Sequence, residues 1–261
     1  MAGRGTVQVV ADGSQPNTAS FLAGYANGIV ANWSSARAFD RGKASAAPIS
    51  INSRFWFNPE LKSKFFLVPG SIAIVMTMIG SLLTGLVIAR EWERGTMEAV
   101  MATPLGMGEF VLIKVIPYFV LGLSSMTICT ILAVTLFGVP LRGSFMALLL
   151  ISASFLVPAL GQGLFISAVT KNQFVASQIA LLTGFLPAMM LSGFIYEIQA
   201  MPTWVRALTY IVPARYLVPQ LQTVFVAGDD WGLFLPNCAI LMAFGAAFLI
   251  MTLRVTRRRI A

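Results

Sequence analysis

Five of the nine residues in REWERGTME, positions 90–98, are ionisable: Arg90, Glu91, Glu93, Arg94 and Glu98. Only 11% of the 261-residue chain is charged, so its capacity for ionic chemistry is concentrated here. Three carboxylates and two guanidinium groups can pair with a surface of matching charge. They lack the partners that catalysis would need. The chain has no His, and its two cysteines, Cys129 and Cys238, sit far apart in apolar stretches, where close packing is their expected role rather than a metal site or disulfide. No HExxH, GxSxG or intramembrane carboxylate pair occurs. The phosphate-loop pattern GxxxxGK[ST] is also missing, since Gly42-Lys43 is followed by Ala44. The chain is expected to hydrolyse no ATP, to bind no cofactor or metal of its own, and not to be an enzyme.

On a helix Glu91, Arg94 and Glu98 fall at i, i+3 and i+7, which makes a charged face with an Arg94–Glu98 pair. Trp92, Met97, Val100 and Met101 supply apolar contacts elsewhere on it. Pro104 disfavours helix at Thr103, so a short amphipathic helix over about 91–103 is predicted. Gly106 and Gly108 then allow a reversal, and Glu109 suits the first turn of the next helix, where a carboxylate complements the helix dipole. Such a helix could rest on lipid headgroups or dock on a protein. Pattern alone supports both equally, and the three acids favour a protein, because anionic headgroups would repel them.

The elements that must position this helix are apolar. Hydrophobic residues make up 57% of the chain and the mean hydropathy is +0.80. Intervals 65–89, 115–141, 143–170, 172–196 and 231–253 contain no Asp, Glu, Lys or Arg. Each exceeds the ~20 residues that span a bilayer core of ~30 Å. Five spans are predicted, at about 65–89, 115–139, 144–170, 172–196 and 231–253. The net charge of +8 arises from basic residues at span ends and in the tail RVTRRR, which fits headgroup contact and orientation rather than nucleic acid.

Residues 1–64 differ in kind. A β-prone stretch at 6–10, a helix carrying Phe21, Leu22, Tyr25, Ile29 and Trp33 and capped by Asn17 or Thr18, and an alternating strand at 49–57 read as a partial α/β module. With five spans the chain ends lie on opposite sides of the membrane. Lys and Arg in the short loops mildly favour a cytoplasmic C-terminus. The N-terminal module is then extracytoplasmic, with no visible segment to export it, and a further span upstream of this sequence would resolve that.

Ion-coupled carriers usually place an ionisable group at mid-membrane, and none of the five intervals has one. If the bundle moves something actively, its energy is expected from another polypeptide. Gln162 and Gln178 are the most polar side chains deep in the spans and are candidates for lining a path, with interhelical hydrogen bonding the stronger expectation. The stretches 158–163 and 184–187 could break their helices. Segment 199–228 is apolar but broken by proline. Trp204, Leu208, Ile211 and Val212 suggest a helix in the outer interface, which Pro213 ends. Ala239, Ala243 and Ala247 in the last span, and Thr77, Ser81, Thr84 and Gly85 in the first, form small-residue strips suited to close packing.

The run 90–104, continuing to Lys114 and Pro117-Tyr118, resembles the signature of ABC-2-type exporter permeases, in the multidrug-type bacterial branch. Residues 191–195 with Met201-Pro202, and 212–216, resemble the segments flanking that family's last outer loop. The likeness covers essentially the whole chain. It implies an all-α polytopic membrane fold, with six spans in the family against five here, and an N-terminal tail of an extracytoplasmic domain. It implies that residues 1–64 form that module and 65–261 the transmembrane domain. Glu91, Trp92, Glu93, Arg94, Gly95, Thr96, Met97 and Glu98 would then form a coupling helix that docks on a cytosolic ATP-binding subunit, where ATP and Mg are held. Met201, Pro202, Trp204, Pro213, Arg215 and Tyr216 would belong to a re-entrant outer hairpin at 199–228, which could seal the exit or merely anchor the span. The implied partners are that subunit, a second permease half, membrane lipid and a candidate periplasmic adaptor. The implied location is the bacterial inner membrane, and the cargo is hydrophobic or amphiphilic. The competing expectations are a non-transporting anchor or assembly protein that recruits a soluble partner, a passive channel, and an inactive truncated permease.

Overall fold

The computed structural model describes residues 16–41, 63–104 and 106–256. The chain divides into two compact units, Met1–Phe66 and Leu67–Ala261. In the first, helix α1 runs Pro16–Arg41. Pro16 opens it, at a position where a missing N–H costs nothing, so Asn17 and Thr18 lie in its first turn rather than capping it. Its expected apolar stripe is exposed: Phe21 is 68% accessible and Tyr25 71%. The strands expected at 6–10 and 49–57 lie outside the described residues, so of the α/β module only the helix is described.

The second unit is helical, and no strand occurs among the described residues. Helix α2 (Lys64–Gly85) turns at Leu86 into α3 (Val87–Glu93), and α4 (Thr96–Ala102) follows. Then come α5 (Met107–Thr135), α6 (Phe145–Thr170) and α7 (Gln173–Ala180). A π-turn (Leu181–Phe185) joins α7 to α8 (Leu186–Leu191). Two short helices, α9 (Thr203–Thr209) and α10 (Ala214–Val226), precede the last helix, α11 (Trp231–Val255). Five segments are long and apolar enough to cross a membrane: Lys64–Glu93, Met107–Thr135, Phe145–Thr170, Gln173–Leu191 and Trp231–Val255.

Several span boundaries differ from expectation. The second span starts at Met107 rather than near 115, because Glu109 and Lys114 are tolerated in its first turns, where Glu109 accepts a hydrogen bond from the Gly106 N–H at 3.1 Å. It ends at Thr135, ahead of Gly138 at φ +61°. The fourth ends at Leu191 rather than 196, because Gly193 adopts φ +88°. Of the two suspected breaks, 158–163 stays helical. Region 184–187 is where the π-turn forms: Pro187 has no N–H to return to the Thr183 carbonyl, and the wider turn accommodates it.

Helix α6 is the centre of the bundle. Of the most apolar 18-residue stretch of each span, 67% is buried in α2–α3 and in α6, against 17% in α5 and 22% in α7–α8 and α11. In lipid, apolar burial gives helices little reason to associate, so close contact and hydrogen bonds must hold them together. Small residues provide the contact. A Cβ on Gly80 would lie 2.9 Å from Ala159, and a Cβ on Gly163 would strike Thr84 and the Ser81 carbonyl. Thr77, Ser81, Thr84 and Gly85, the strip expected in the first span, are all buried. Thr84 also donates its hydroxyl across to the Leu160 carbonyl at 3.0 Å. In α11 the expected strip is not the one used within the chain, since Ala239, Ala243 and Ala247 are exposed. The packed face carries Phe234, Cys238, Leu241, Gly245 and Thr252, and a Cβ on Gly245 would meet Val157 at 2.5 Å.

Where α2 breaks at Leu86, the Ser167 hydroxyl oxygen on α6 accepts from the Ile88 and Ala89 N–H groups at 3.0 and 2.8 Å. Both residues are fully buried, so no solvent can replace that acceptor. Ser167→Ala is therefore expected to destabilise the bundle by about 1–3 kcal/mol per orphaned donor. Thermal unfolding of the detergent-solubilised chain should show a lower midpoint, with Ser167→Thr restoring part of the loss.

Candidate coupling surface

The charged run does not form the single helix expected over 91–103. Gly95 adopts φ +70° and ends α3, and α4 starts from it. No atom lies within 4 Å of where its Cβ would be, so the requirement for glycine comes from the backbone angle rather than from space. The break removes the continuous i, i+3, i+7 face, and Arg94–Glu98 does not form. The salt bridge shown here is Lys114 Nζ to Glu91 Oε1 at 2.7 Å, which ties the end of the first span to α5. The Thr96 hydroxyl donates to both the carboxylate and the carbonyl of Glu91, so α4 is fastened back onto α3 across the break.

Two further contacts fasten α3 to the turn between α6 and α7. Glu93 accepts from the Gln173 N–H at 2.8 Å and from the Gln173 side-chain amide. Gln173 in turn accepts from Arg90 Nε at 3.3 Å. Lys171 ends α6 at φ +52°, the left-handed region that a lysine rarely occupies, and this places its ammonium 4.1 Å over the Trp92 ring. Asn172 caps α7, accepting from the Val175 N–H at 3.0 Å. The sequence offered little sign of the Lys171–Gln173 contribution, because these residues lie outside the charged run and acquire their role only from the tight turn.

Met97 lies on the inner side of α4. It is fully buried with Val87, Ile88, Phe110, Val111, Leu164 and Ala168. It anchors α4 to the bundle and so leaves the set of residues available at the surface. Trp92 is half-buried, between that cluster and Lys171. Arg94, Gly95, Thr96 and Glu98 are exposed, as is Glu93 although its carboxylate is occupied. Beside them a shallow groove is lined by Thr96, Ala99, Val100, Thr103 and Pro104. The surface therefore offers a cation and an anion beside an apolar strip, clamped to α5, α6 and α7, with no group able to perform covalent chemistry.

The other candidates lie apart. Gln162 is half-buried and donates to the Thr183 hydroxyl at 3.4 Å, whereas Gln178 is on the exposed face of α7. Pro202 and Pro213 precede α9 and α10. Met201 is half-buried and Trp204 is 71% accessible. Arg215 lies 3.6 Å over the Tyr210 ring and donates to Thr209, and the Tyr216 hydroxyl donates to the Tyr210 carbonyl at 3.0 Å. One polar side chain was missed: Gln220, fully buried on α10, whose amide oxygen faces the Cys238 thiol at 3.6 Å and whose Nε2 has no partner among the described residues.

Five helices long and apolar enough to cross a membrane, with a clamped, charged surface at one end, define a multi-pass membrane protein. Comparison with known proteins gives its family. Residues 2–254 match the ABC-2 family transporter proteins, and the chain belongs to that family. It is 48% identical over 254 residues to the probable multidrug ABC transporter permease YbhS of Escherichia coli, covering 97% of this chain and 67% of that protein. It is 27% identical to the probable multidrug ABC transporter permease YbhR of the same organism, over 92% of this chain and 66% of that one. The Escherichia coli inner membrane transport permease YhhJ is 29% identical, over 81% and 57%. The chain thus spans about two-thirds of the length of the first two. No solved structure matches it significantly. The chain is a transporter membrane subunit and not itself an enzyme.

The left-handed Gly95 gives a direct test of the broken surface. Gly95→Ala meets no side chain, so its cost should be the backbone term of about 1–2 kcal/mol. Hydrogen exchange across residues 96–102 should then quicken by about fivefold or more, while Gly95→Asn, which tolerates that conformation better, should exchange more slowly than the alanine variant.

Proposed function

We propose that the chain is the membrane-spanning subunit of an ATP-driven exporter that moves hydrophobic or amphiphilic molecules out of the cytoplasm or the inner leaflet of a bacterial inner membrane. ATP and Mg are held by a separate cytosolic subunit, and the surface formed by residues 91–98 docks on it. The charged end of the bundle and the C-terminus face the cytoplasm, and α9–α10 face outward. A second permease half completes the path, in contact with lipid and, in an envelope with two membranes, with a periplasmic adaptor. The names of the E. coli relatives support the cargo class.

The observation that carries this reading is the construction of the surface. A helix resting on headgroups would need neither a left-handed break nor three separate clamps. Here Glu91–Lys114, Glu93–Gln173 and Trp92–Lys171 hold it rigidly against α5, α6 and α7. A push on Arg94 and Glu98 would therefore reach those helices rather than be absorbed in a loop. In the proposed cycle ATP closes two cytosolic subunits, the docked surfaces move with them, and the bundle opens outward.

Co-purification in mild detergent with the ATP-binding subunit is the test. The native chain should retain that subunit and alter its ATP turnover. Glu98→Arg and Arg94→Glu should each weaken retention by roughly tenfold, the scale of a desolvated charge contact at an interface. Retention that is indifferent to both reversals would favour a membrane anchor or a passive channel instead.

A further inference from the structure

Midway along the bundle, α2, α6, the π-turn, α11 and the α9–α10 turn line a chamber of about 190 Å³, open on the side where Thr183 and Ile211 are exposed. Phe155 and Phe248 bring aromatic rings to its wall, and residues 211–214 close one side. Its polar side chains are Thr77, Gln162 and Thr183, and no ionisable side chain lines it. The two threonines donate to their own helices, Thr77 to the Ala73 carbonyl at 2.8 Å and Thr183 to the Ile179 carbonyl at 2.7 Å. Gln162 is different. Among the described residues its one hydrogen bond is the long 3.4 Å bond to Thr183, and its amide oxygen accepts nothing.

The chamber is built into the fold rather than left by poor packing. Pro187 forces the π-turn, which brings Thr183 and Gly184 to the wall. Gly184 is held against α2, since a Cβ there would lie 2.7 Å from the Ser81 hydroxyl. The closing turn is fixed from behind by the stacking of Arg215 on Tyr210 and by the Tyr216–Tyr210 hydrogen bond. Single π-turns within helices occur frequently at functional sites.

We infer that this chamber is a binding site for an uncharged, single-ring amphiphile, a phenol in chemical class, with its ring between apolar walls and its hydroxyl on Gln162. Size sets the ring count. An apolar cavity of roughly 150 Å³ takes a benzene-sized guest, whereas drug-sized ligands fill about 300–1,000 Å³. Charge sets the class, because a cation or anion would be stripped of water with no counter-charge in the lining. The amide of Gln162 can both donate and accept, which suits a hydroxyl. The ligand is cargo only on the reading of the chain as an exporter subunit; the site itself does not depend on it.

The test uses the full chain in lipid nanodiscs, without nucleotide, and 4-fluorophenol followed by fluorine NMR. Saturable binding above the lipid background is expected, with toluene competing weakly and benzylammonium not at all. Thr183→Trp, at a position accessible enough to take the larger ring, should fill the chamber and abolish saturation. Gln162→Leu should weaken 4-fluorophenol by about 3- to 10-fold, the worth of one net hydrogen bond, and remove its advantage over toluene. Binding that never saturates, that survives Thr183→Trp, or that benzylammonium displaces equally overturns the proposal. Because the competition series uses the native chain, a variant that fails to fold does not remove the test. In the assembled transporter 4-fluorophenol should also change ATP turnover, and not in Thr183→Trp. Saturable binding without that response leaves the site standing and removes it from the transport path, whereas loss of the ATP-binding subunit would count against the exporter reading alone.

Discussion

Both the charged surface and the chamber depend on how closely α6 can approach α2. Gly163 presents its bare backbone to the Ser81 carbonyl and the Thr84 hydroxyl, and Gly80 faces Ala159 on the same seam. In a bilayer this intimacy substitutes for the hydrophobic drive that holds soluble helices together, because lipid is as apolar as the side chains it would replace. It also brings polar groups across the interface. One turn beyond Gly163, Ser167 reaches the two N–H groups freed where α2 ends, and so allows the helix to change direction without leaving buried donors unpaired. A side chain on Gly163 would move Ser167 away from those donors, and α3 would lose the acceptor that fixes its exit.

The direction of α3 in turn decides what the charged run can do. Glu91 meets Lys114 because α3 leaves the bundle beside α5, and Glu93 meets Gln173 because it passes the α6–α7 turn. Most of the charge is thus consumed inside the protein. Exposed polar contacts of this kind contribute little stability; their value here is geometric, since three of them meet within three consecutive residues. What remains for a partner is small: Arg94, Thr96, Glu98 and the apolar strip of α4.

The division between legible and hidden features follows from the range of the forces involved. The spans could be read because an uncharged interval of more than ~20 residues has few other uses. Their ends could not, because carboxylates and lysines are tolerated in the first turns at an interface, as Glu109 and Lys114 show. The charged run was legible as a surface but not in shape. Gly95 carries no signal of its backbone angle among neighbours that all favour helix, and Met97 reads as an outward contact until Phe110 and Leu164 are known to stand behind it. The alanine strip of α11 matched a packing motif, yet Gly245, two residues from Ala243 and Ala247 and so on the other face, permits the closer approach and takes the interface. Gln220 was passed over because its burial depends wholly on tertiary contacts, which no local pattern shows.

The same helix links the charged surface to the chamber. Ser167, which fixes α3, and Gln162, which lines the chamber, are five residues apart on α6, or about 7.5 Å along an ideal helix. No unpaired turn or flexible loop lies between them, since α6 is helical throughout Phe145–Thr170. The wall on the other side, α7 with its π-turn, begins at Gln173, the residue that holds Glu93. A displacement of the charged surface therefore acts on two adjoining walls of the chamber at once, one through Ser167 and one through Gln173. If the two attachments move unequally, the chamber must change volume, because close-packed helices slide rather than compress. In that arrangement a force applied at Arg94 and Glu98 would be felt at Gln162 and Thr183 without any long-range signal being required.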